Sequence, residues 1–417
     1  MKKLLQINPV LRISTSTGRI MQEIGELAMQ NGWESYIAYS KGRDNIKPCL
    51  SHLVPVGNKR SVLWHGVMTR LFDRHGLASD KATRQLIDCI KEIQPDIIHI
   101  HNIHGYFLNY RILFDYLSQS GIPVIWTVHD CWLYTGHCYY YSYVQCQRWQ
   151  DGCGSCPQKR EFPMSWFLDR SSQNYVDKKH AFTSMPKNKF VIVPVSHWIE
   201  EEMRHSFLKE YDFRVISNGI NLDVFTIYSS SKIVNTYGLN GKHILLGVAS
   251  IWSKEKGLFD FFRIAEQLRQ DEVIVLVGIK PQERKLLPKN VIGISRTDNM
   301  HQLAELYSAA DVFINPTWQD NYPTVNMEAI ACGTPVVTYR TGGCIEMVTE
   351  NTGFITNQGD IQHVLEAVRT IEQRGKDYYR KRCREYAMTH FNKQTCYADY
   401  LYLYAELTNH KQMCSDL

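Results

Sequence analysis

Two carboxylates are spaced so that a loop would carry one and the helix after it the other. Asp320 and Glu328 stand eight residues apart, with Pro323 between them. Proline suits the start of a helix, where its missing N–H would be unpaired anyway, and the free N–H groups of Thr324 and its neighbours then favour an anion or a polar ligand. Carboxylates are good bidentate acceptors for neighbouring sugar hydroxyls. The spacing predicts a site for a hydroxyl-rich ligand. The alternative is two solvated acids.

Two lysines occupy another loop between a predicted strand and a predicted helix. Lys254 and Lys256 follow the apolar run Ile244–Val248 and precede the helical pattern Phe259–Leu268. Ammonium groups at such a position suit a diphosphate. The alternative is a solvated charged loop.

The first half of the chain also carries candidate residues next to predicted strands. Gly18 lies among the small residues of Ser14–Arg19, which allow a ligand to approach the start of the next helix, although Ser and Thr could simply cap that helix. His129 and Asp130 follow the run Val124–Val128, at the strand end where parallel sheets bind ligands. The alternative is a loop histidine that is satisfied by the backbone.

A further pair of histidines falls on one face of a predicted strand. His99 and His101 alternate as metal ligands do, but no third ligand is evident. Packing and hydrogen bonding at the strand end are therefore the favoured interpretation.

Four of the twelve cysteines lie within 19 residues and have the spacing C-x7-C-x6-C-x2-C. They are Cys138, Cys146, Cys153 and Cys156. A C-x2-C turn with glycine inside is typical of a metal knuckle, and four thiolates form a closed tetrahedral zinc site of structural type. The alternatives are reduced cysteines packed under a loop, and disulfide or redox chemistry. Structural zinc is the first hypothesis, and no metal is expected to take part in catalysis.

Positioning these loops requires two α/β domains. Short Val/Ile runs alternate with amphipathic stretches, which predicts βαβ units with strands covered on both faces. There are too many strands for one sheet, and the Ser-rich stretch 223–241 lacks an apolar period. We predict two Rossmann-like, doubly wound domains that face a central cleft. They span 1–225, with a Cys-rich insertion at 131–160, and 241–395, and a helix in 396–417 could pack back on the first domain.

Composition excludes several classes of protein. Of the 417 residues, 44% are hydrophobic and 21% are charged, so the chain is globular and not disordered. A net charge of +5 is too small an excess for a nucleic-acid partner.

No apolar run approaches ~18 residues, so no transmembrane helix is expected. The basic amphipathic stretch Leu63–Phe72 could contact a membrane surface, although a core-facing helix gives the same pattern. We expect the protein in the cytoplasm, either free or on the inner face of the membrane.

Several motifs together resemble one enzyme family. The strongest is the acid-x7-acid pattern from Asp320 to Glu328, which runs on into Ala-Ile-Ala-Cys-Gly-Thr-Pro-Val-Val. The supporting motifs are Val215–Asn221 with Phe225, Lys256-Gly257, Ala309–Phe313 and Thr341–Gly343. The chain resembles the retaining GT-B glycosyltransferases of family 4, also called glycosyl transferase group 1. Its Cys-rich insertion is similar to one in a subgroup related to colanic acid and exopolysaccharide synthesis.

The resemblance implies a role for each matching residue. Lys256 would hold the donor diphosphate, with Lys254 as a second positive charge, and Glu328 would bind the ribose of the nucleotide. His129 would lie near the transferred sugar, and Gly18 near the phosphate and the acceptor. The remaining substrate-binding residues that it implies are Asn218, Asn321, Tyr322, Pro323 and Thr324, with Asp320 at the donor sugar and phosphate.

The sequence departs from the family pattern at three positions. The first acid is commonly Glu and is Asp320 here. An Arg is frequent where Ile251 stands, and a second glycine is frequent where Thr17 stands. Because of the second departure, the family pattern does not identify the second phosphate ligand.

The implied activity is a hexosyltransferase-type reaction. A sugar would pass from a nucleotide-diphosphate donor to a glycan or lipid-linked glycan, with retention of configuration, in cell-surface polysaccharide biosynthesis. One alternative is another enzyme on this fold, such as a sugar-nucleotide epimerase. The other is a zinc-knuckle module that binds nucleic acid, which the weak net charge disfavours.

Overall fold

The computed structural model describes residues 1–13, 15–41, 49–229 and 231–413, with side chains described up to residue 409. Ser14 of the predicted N-terminal loop and the last four residues of the predicted C-terminal helix lie outside the described residues. The chain divides into two compact units. The N-terminal unit comprises Met1–Ser217 and Tyr397–Leu417, and the C-terminal unit comprises Asn218–Cys396.

The N-terminal unit is built on a seven-stranded parallel sheet with the strand order β3-β2-β1-β4-β5-β6-β7. Its strands are β1 (Lys2–Ile7), β2 (Trp33–Tyr39), β3 (His52–Pro55), β4 (Ile97–Ile100), β5 (Val124–Val128), β6 (Phe190–Pro194) and β7 (Asp212–Phe213). Its helices include α1 (Ser16–Gln30), α2 (Lys59–Phe72), α3 (Asp80–Ile93), α4 (Tyr110–Ser120), α5 (Ser171–Phe182) and α6 (His197–Arg204).

The C-terminal unit repeats this plan with six parallel strands in the order β10-β9-β8-β11-β12-β13. Its strands are β8 (His243–Val248), β9 (Glu272–Val277), β10 (Val291–Ile294), β11 (Val312–Asn315), β12 (Val336–Tyr339) and β13 (Gly353–Thr356). Its helices are α7 (Ser231–Thr236), α8 (Leu258–Ala265), α9 (Met300–Ala309), α10 (Thr324–Ala331), α11 (Ile361–Arg374) and α12 (Lys376–His390). Two parallel sheets flanked by helices confirm the predicted α/β class.

One part of the sequence prediction needs correction. The stretch 223–241 was interpreted as the break between domains, but the structure has α7 there and buries Ile233 in the core of the C-terminal unit. A six-residue helix with a single buried side chain is too short to produce a visible hydrophobic period.

The last helix, α13 (Lys393–Met413), packs against the sheet of the N-terminal unit. The hydroxyl of Tyr404 lies 2.6 Å from Nδ1 of His99, and that of Tyr400 lies 2.9 Å from Oγ1 of Thr127. Nζ of Lys2 donates to Oγ1 of Thr408 at 2.8 Å. Of the helices in the described part of the chain, none has the length and apolar character to cross a bilayer.

Candidate functional site

The lysine-bearing loop of the C-terminal unit is pressed against the loop that follows β11. Gly257 has φ +76°, and a Cβ there would lie 2.2 Å from the carbonyl oxygen of Pro316. The backbone N–H of Trp318 donates to the carbonyl of Glu255 at 2.8 Å. Strands β8 and β11 are neighbours in the sheet, so their loops meet at one edge. Only glycine allows so close an approach in this backbone conformation.

This contact brings together two of the predicted site residues. Nζ of Lys256 lies 2.6 Å from Oδ2 of Asp320, and the lysine side chain is 39% exposed. Oδ1 of Asp320 accepts the N–H of Asn321 at 2.9 Å. The second lysine, Lys254, is half-exposed and pairs with the adjacent Glu255 at 3.5 Å. The loop therefore presents the ammonium of Lys256 in a fixed position beside an acid.

Helix α10 begins next to this ion pair. Its first residue is Thr324, one position later than the predicted start at Pro323, which is instead the extended N-cap residue. Pro323 has no polar side chain and makes no capping bond to this end of the helix. The first-turn N–H groups therefore keep the partial positive charge that favours an anion.

Glu328 lies on the buried face of α10 and is 3% exposed. Its Oε2 accepts the hydroxyl of Tyr307, a residue of α9, at 3.2 Å. Sequence reasoning missed Tyr307, because its position in an amphipathic helix looks like any core position. On the same helix, the Asn326 side chain accepts from that of Asn315 at 2.8 Å, which ties α10 to the end of β11.

Further polar contacts hold these loops in place. The indole N–H of Trp318 donates to Asp260 at 2.6 Å. Oγ1 of Thr341 donates to the carbonyl of Thr317 at 2.8 Å and accepts from Gln358 at 2.7 Å. The sequence singled out Thr341 only through the motif Thr341–Gly343, and no pattern marked Asp260 or Gln358. Asn218, the first residue of this unit, is buried at 6% exposure.

In the N-terminal unit, Gly18 lies in the first turn of α1 and is buried. A Cβ there would lie 2.4 Å from the carbonyl oxygen of Arg12 and 2.7 Å from Oγ1 of Thr15. The N-cap residue Thr15 makes no side-chain capping bond, and its hydroxyl donates instead to Arg12 O at 2.8 Å. The capping alternative is therefore wrong for Thr15, and Gly18 is needed so that the loop can fold closely over the helix start.

His129 follows β5 and belongs to a row of polar side chains. Its Nε2 lies 3.3 Å from Nδ1 of His101, whose Nε2 lies 3.1 Å from Oε1 of Gln6. Burial lowers the pKa of His129 to about 4, although the neighbouring Asp130 acts in the opposite direction. Oδ2 of Asp130 in turn lies 2.7 Å from Nε2 of His104. At neutral pH the His129 imidazole is therefore uncharged and can donate or accept a hydrogen bond.

His99 is hydrogen-bonded through both ring nitrogens. Nδ1 lies 2.6 Å from the hydroxyl of Tyr404 and Nε2 lies 2.7 Å from Oγ1 of Thr127. Burial lowers the pKa of His99 to about 3. Both ring nitrogens are occupied by hydrogen bonds within the protein interior, which supports the hydrogen-bonding interpretation over metal ligation.

The four clustered cysteines line one cavity of about 20 Å³. Cys138 is buried, Cys146, Cys153 and Cys156 are half-buried, and all four are free thiols. In their present positions, no group of three histidine, cysteine or carboxylate side chains among the described residues could hold a metal ion. The backbone N–H of Gly136 donates to Sγ of Cys153 at 3.1 Å.

Two family models match the chain. The model described as Glycosyltransferase Family 4 matches residues 18–224, and the model described as Glycosyl transferases group 1 matches residues 230–390. The two matched ranges leave out only the ends of the chain and the short segment between them.

Two relatives and one solved structure illustrate the likeness. The protein WcaC of Escherichia coli (strain K12), provisionally named a colanic acid biosynthesis glycosyl transferase, is 21% identical over 87% of this chain and 89% of its own length. The N,N'-diacetylbacillosaminyl-diphospho-undecaprenol alpha-1,3-N-acetylgalactosaminyltransferase of Campylobacter jejuni is 30% identical, over 39% of this chain and 45% of its own length. Anabaena Alr3699/HepE in complex with UDP superposes with a TM-score of 0.68 and 14% identity, over 97% of this chain and 100% of that one.

Proposed function

We propose that this chain, which belongs to the glycosyltransferases with family 4 and group 1 domains and has the GT-B fold, transfers a sugar from a nucleotide-diphosphate donor with retention of configuration. The observation that carries the donor assignment is the ammonium of Lys256, held by Asp320 beside the start of α10, where the N-cap residue Pro323 makes no capping bond. The likeness to a structure that contains UDP supports a nucleotide ligand.

The chemistry of this arrangement suits a diphosphate leaving group. Negative charge develops on the diphosphate as the glycosidic bond breaks. A positioned ammonium and the N–H groups at a helix start stabilise that charge without a metal ion. We therefore assign Lys256, with Lys254 as the second charge, to the diphosphate. We assign Asp320 and the segment Asn321–Thr324, which includes Tyr322 and Pro323, to the donor sugar and phosphate.

We assign Glu328 to the ribose of the donor. A carboxylate has about four acceptor positions. The contact with Tyr307 fixes the orientation of Glu328, and burial excludes competing water. Such a carboxylate suits two neighbouring hydroxyls. We also include Asn218 among the substrate-binding residues.

In the N-terminal unit we assign His129 to the transferred sugar and Gly18 to the phosphate and acceptor. The uncharged imidazole of His129 can exchange hydrogen bonds with sugar hydroxyls, and its neighbour His101 restricts its orientation. Gly18 keeps side-chain bulk away from the start of α1, where a ligand can approach the backbone.

We propose a glycan or lipid-linked glycan as acceptor, in cell-surface polysaccharide biosynthesis. The names of two relatives support this class, since one refers to colanic acid and the other to a diphospho-undecaprenol. Such an acceptor would be used at the cytoplasmic face of the membrane.

An exposed apolar patch on the N-terminal unit supports contact with that membrane. We define this apolar patch as Leu63, Trp64, Phe72, Met164, Trp166, Phe167 and Leu168, which are between 40% and 70% exposed. The N–H of Trp166 donates to the carbonyl of Arg70, so the two segments adjoin. Exposed Lys59 and Arg60 begin α2. Helix α2 buries His65, Gly66 and Thr69, whereas Leu63 and Trp64 are exposed, so these two apolar side chains do not face the core. Aromatic and aliphatic side chains with basic neighbours are typical of surfaces that enter a lipid headgroup region.

Co-sedimentation with vesicles tests the membrane contact. Leu63→Ser should reduce binding to vesicles that contain anionic lipid. Leu286→Ser, which changes an equally exposed leucine of the C-terminal unit, should leave binding unchanged. Equal binding by the two variants, or no binding by the unaltered chain, would contradict this part of the proposal.

Nucleotide binding tests the donor site. Lys256→Met should weaken the calorimetric Kd for the preferred one of UDP, GDP and ADP by roughly tenfold to a hundredfold, because a charged hydrogen bond is lost. Lys285→Met changes an exposed lysine of the same unit and should have no effect. The donor assignment is wrong if none of the three nucleotides binds, or if Lys256→Met binds as tightly as its control.

A further inference from the structure

A long insertion in the N-terminal unit has little regular structure of its own. Residues 129–170, between β5 and α5, contain only short 3₁₀ turns. Loops of this length are uncommon in compact domains and need stabilising contacts of their own. The four clustered cysteines belong to this insertion and surround one cavity, although up to eighteen residues separate them along the chain. We infer that Cys138, Cys146, Cys153 and Cys156 bind one zinc ion as four thiolates.

The size of the cavity is the first argument. Protein interiors are close-packed, and a small void among side chains loses contacts that packing would otherwise make. A cavity of about 20 Å³ lined by four thiols has room for one water-sized group. A tetrahedral zinc ion bound by four cysteines needs only such a space, and no open position for water.

A backbone N–H group aimed at one of the sulfurs is the second argument. The N–H of Gly136 donates to Sγ of Cys153 at 3.1 Å. Donors of this kind stabilise thiolates and are typical of the outer shell around metal ligands. Between Cys153 and Cys156, Ser155 adopts a left-handed conformation with φ +45°. The turn is thereby folded so that both ends of the C-x2-C motif reach the cavity.

Metal binding requires the thiols to turn. Among the described residues no metal-holding group is formed as the side chains stand. Rotation about the Cα–Cβ bond moves a cysteine sulfur without moving the backbone, and three of the four cysteines are only half-buried.

The site would act on the loop that carries His129. Gln158 follows Cys156 closely, and its side chain donates to the carbonyl of Tyr140. The hydroxyl of Tyr140 donates to the carbonyl of His129 at 3.2 Å. Zinc would therefore fix this chain of contacts at one end and stabilise the position of His129 at the other.

Elemental analysis of the full-length chain, purified without chelator from zinc-supplemented cells, tests the inference. We expect about one zinc per chain. Replacement by cobalt should give the intense visible bands of tetrahedral cobalt and the sulfur charge-transfer bands of a tetrathiolate site. Cys156→Ser should lose the metal, and Cys89→Ser, which changes a half-buried cysteine outside the insertion, should retain it.

Three results would overturn the inference. They are zinc well below one equivalent with the four thiols reduced, a mass loss that reveals disulfides in place of metal, and equal zinc loss in Cys89→Ser and Cys156→Ser. If Cys156→Ser does not fold, the metal content and the cobalt spectrum of the unaltered chain still decide.

Discussion

The ion pair between Lys256 and Asp320 shows how strand order brings distant residues together. The two residues were predicted separately, each from its place after a strand. Their contact follows because β8 and β11 are adjacent, so the two loops share an edge of the sheet. The contact between Glu328 and Tyr307 could not be predicted in this way, since it depends on how α9 and α10 are rotated against each other.

Buried histidines predict how stability depends on pH. Burial lowers the pKa of His99 from its ordinary 6.5 to about 3. The folded chain keeps this imidazole neutral, whereas the unfolded chain binds a proton below about pH 6.5. The stability that His99 contributes is therefore complete above pH 6.5 and declines as pH falls toward 3, by about 1.4 kcal/mol per pH unit.

Replacing His99 should reduce that dependence. Between pH 4 and 6, unfolding of His99→Asn should take up about one proton fewer than unfolding of the unaltered chain. Calorimetry in buffers of different ionisation enthalpy measures this number. Equal proton uptake by His99→Asn and the unaltered chain would show that His99 titrates normally in the folded chain.

At the scale of secondary-structure elements, the Val/Ile runs that predicted strands correspond to strands in the structure. All five residues of β5 are buried, as expected of a strand covered on both faces. Strand β3 was not predicted, because it is largely exposed and its sequence, His-Leu-Val-Pro, shows no apolar run. Strand β7 has only two residues, too few for any pattern.

The close approach between the loop that carries Lys256 and the loop after β11 can be tested by comparing two glycine variants. Gly257→Ala should weaken nucleotide binding at least about tenfold, because its Cβ would displace the loop that carries Lys256. Gly238 also has a positive φ but has open space around it, so Gly238→Ala should cost about 1–2 kcal/mol of stability and leave binding intact. Titration calorimetry measures both. Unchanged binding in Gly257→Ala would show that the close approach is not required.

Docking of α13 can be tested within that one helix. Tyr404→Phe removes the hydroxyl that bonds His99 in the interior and should destabilise the N-terminal unit by about 1–3 kcal/mol. Tyr402 is 74% exposed, so Tyr402→Phe should change stability by less than about 0.5 kcal/mol. Urea unfolding followed by tryptophan fluorescence gives both values. Equal stability of the two variants would contradict the packing of this helix.

At the scale of the whole molecule, the alternation of strands and helices predicted two α/β domains, and the family resemblance of the motifs implied a glycosyltransferase with the GT-B fold. The mild net charge of +5 fits an enzyme that concentrates its positive charge locally, as at Lys256. The sequence could not reveal the donor sugar, the base or the acceptor. Those depend on side-chain positions around the ligand, and none of the residues singled out discriminates one base from another.

Glycosyl transfer itself is the most direct test. The full-length chain is incubated with a panel of nucleotide sugars and lipid-linked glycan acceptors, and the products are followed by mass spectrometry. We predict that one donor adds a single sugar to an acceptor and releases one nucleotide diphosphate per sugar transferred. An epimerised donor with no nucleotide release, or an acceptor that stays unmodified with every donor while an isomeric nucleotide sugar accumulates, would contradict the account.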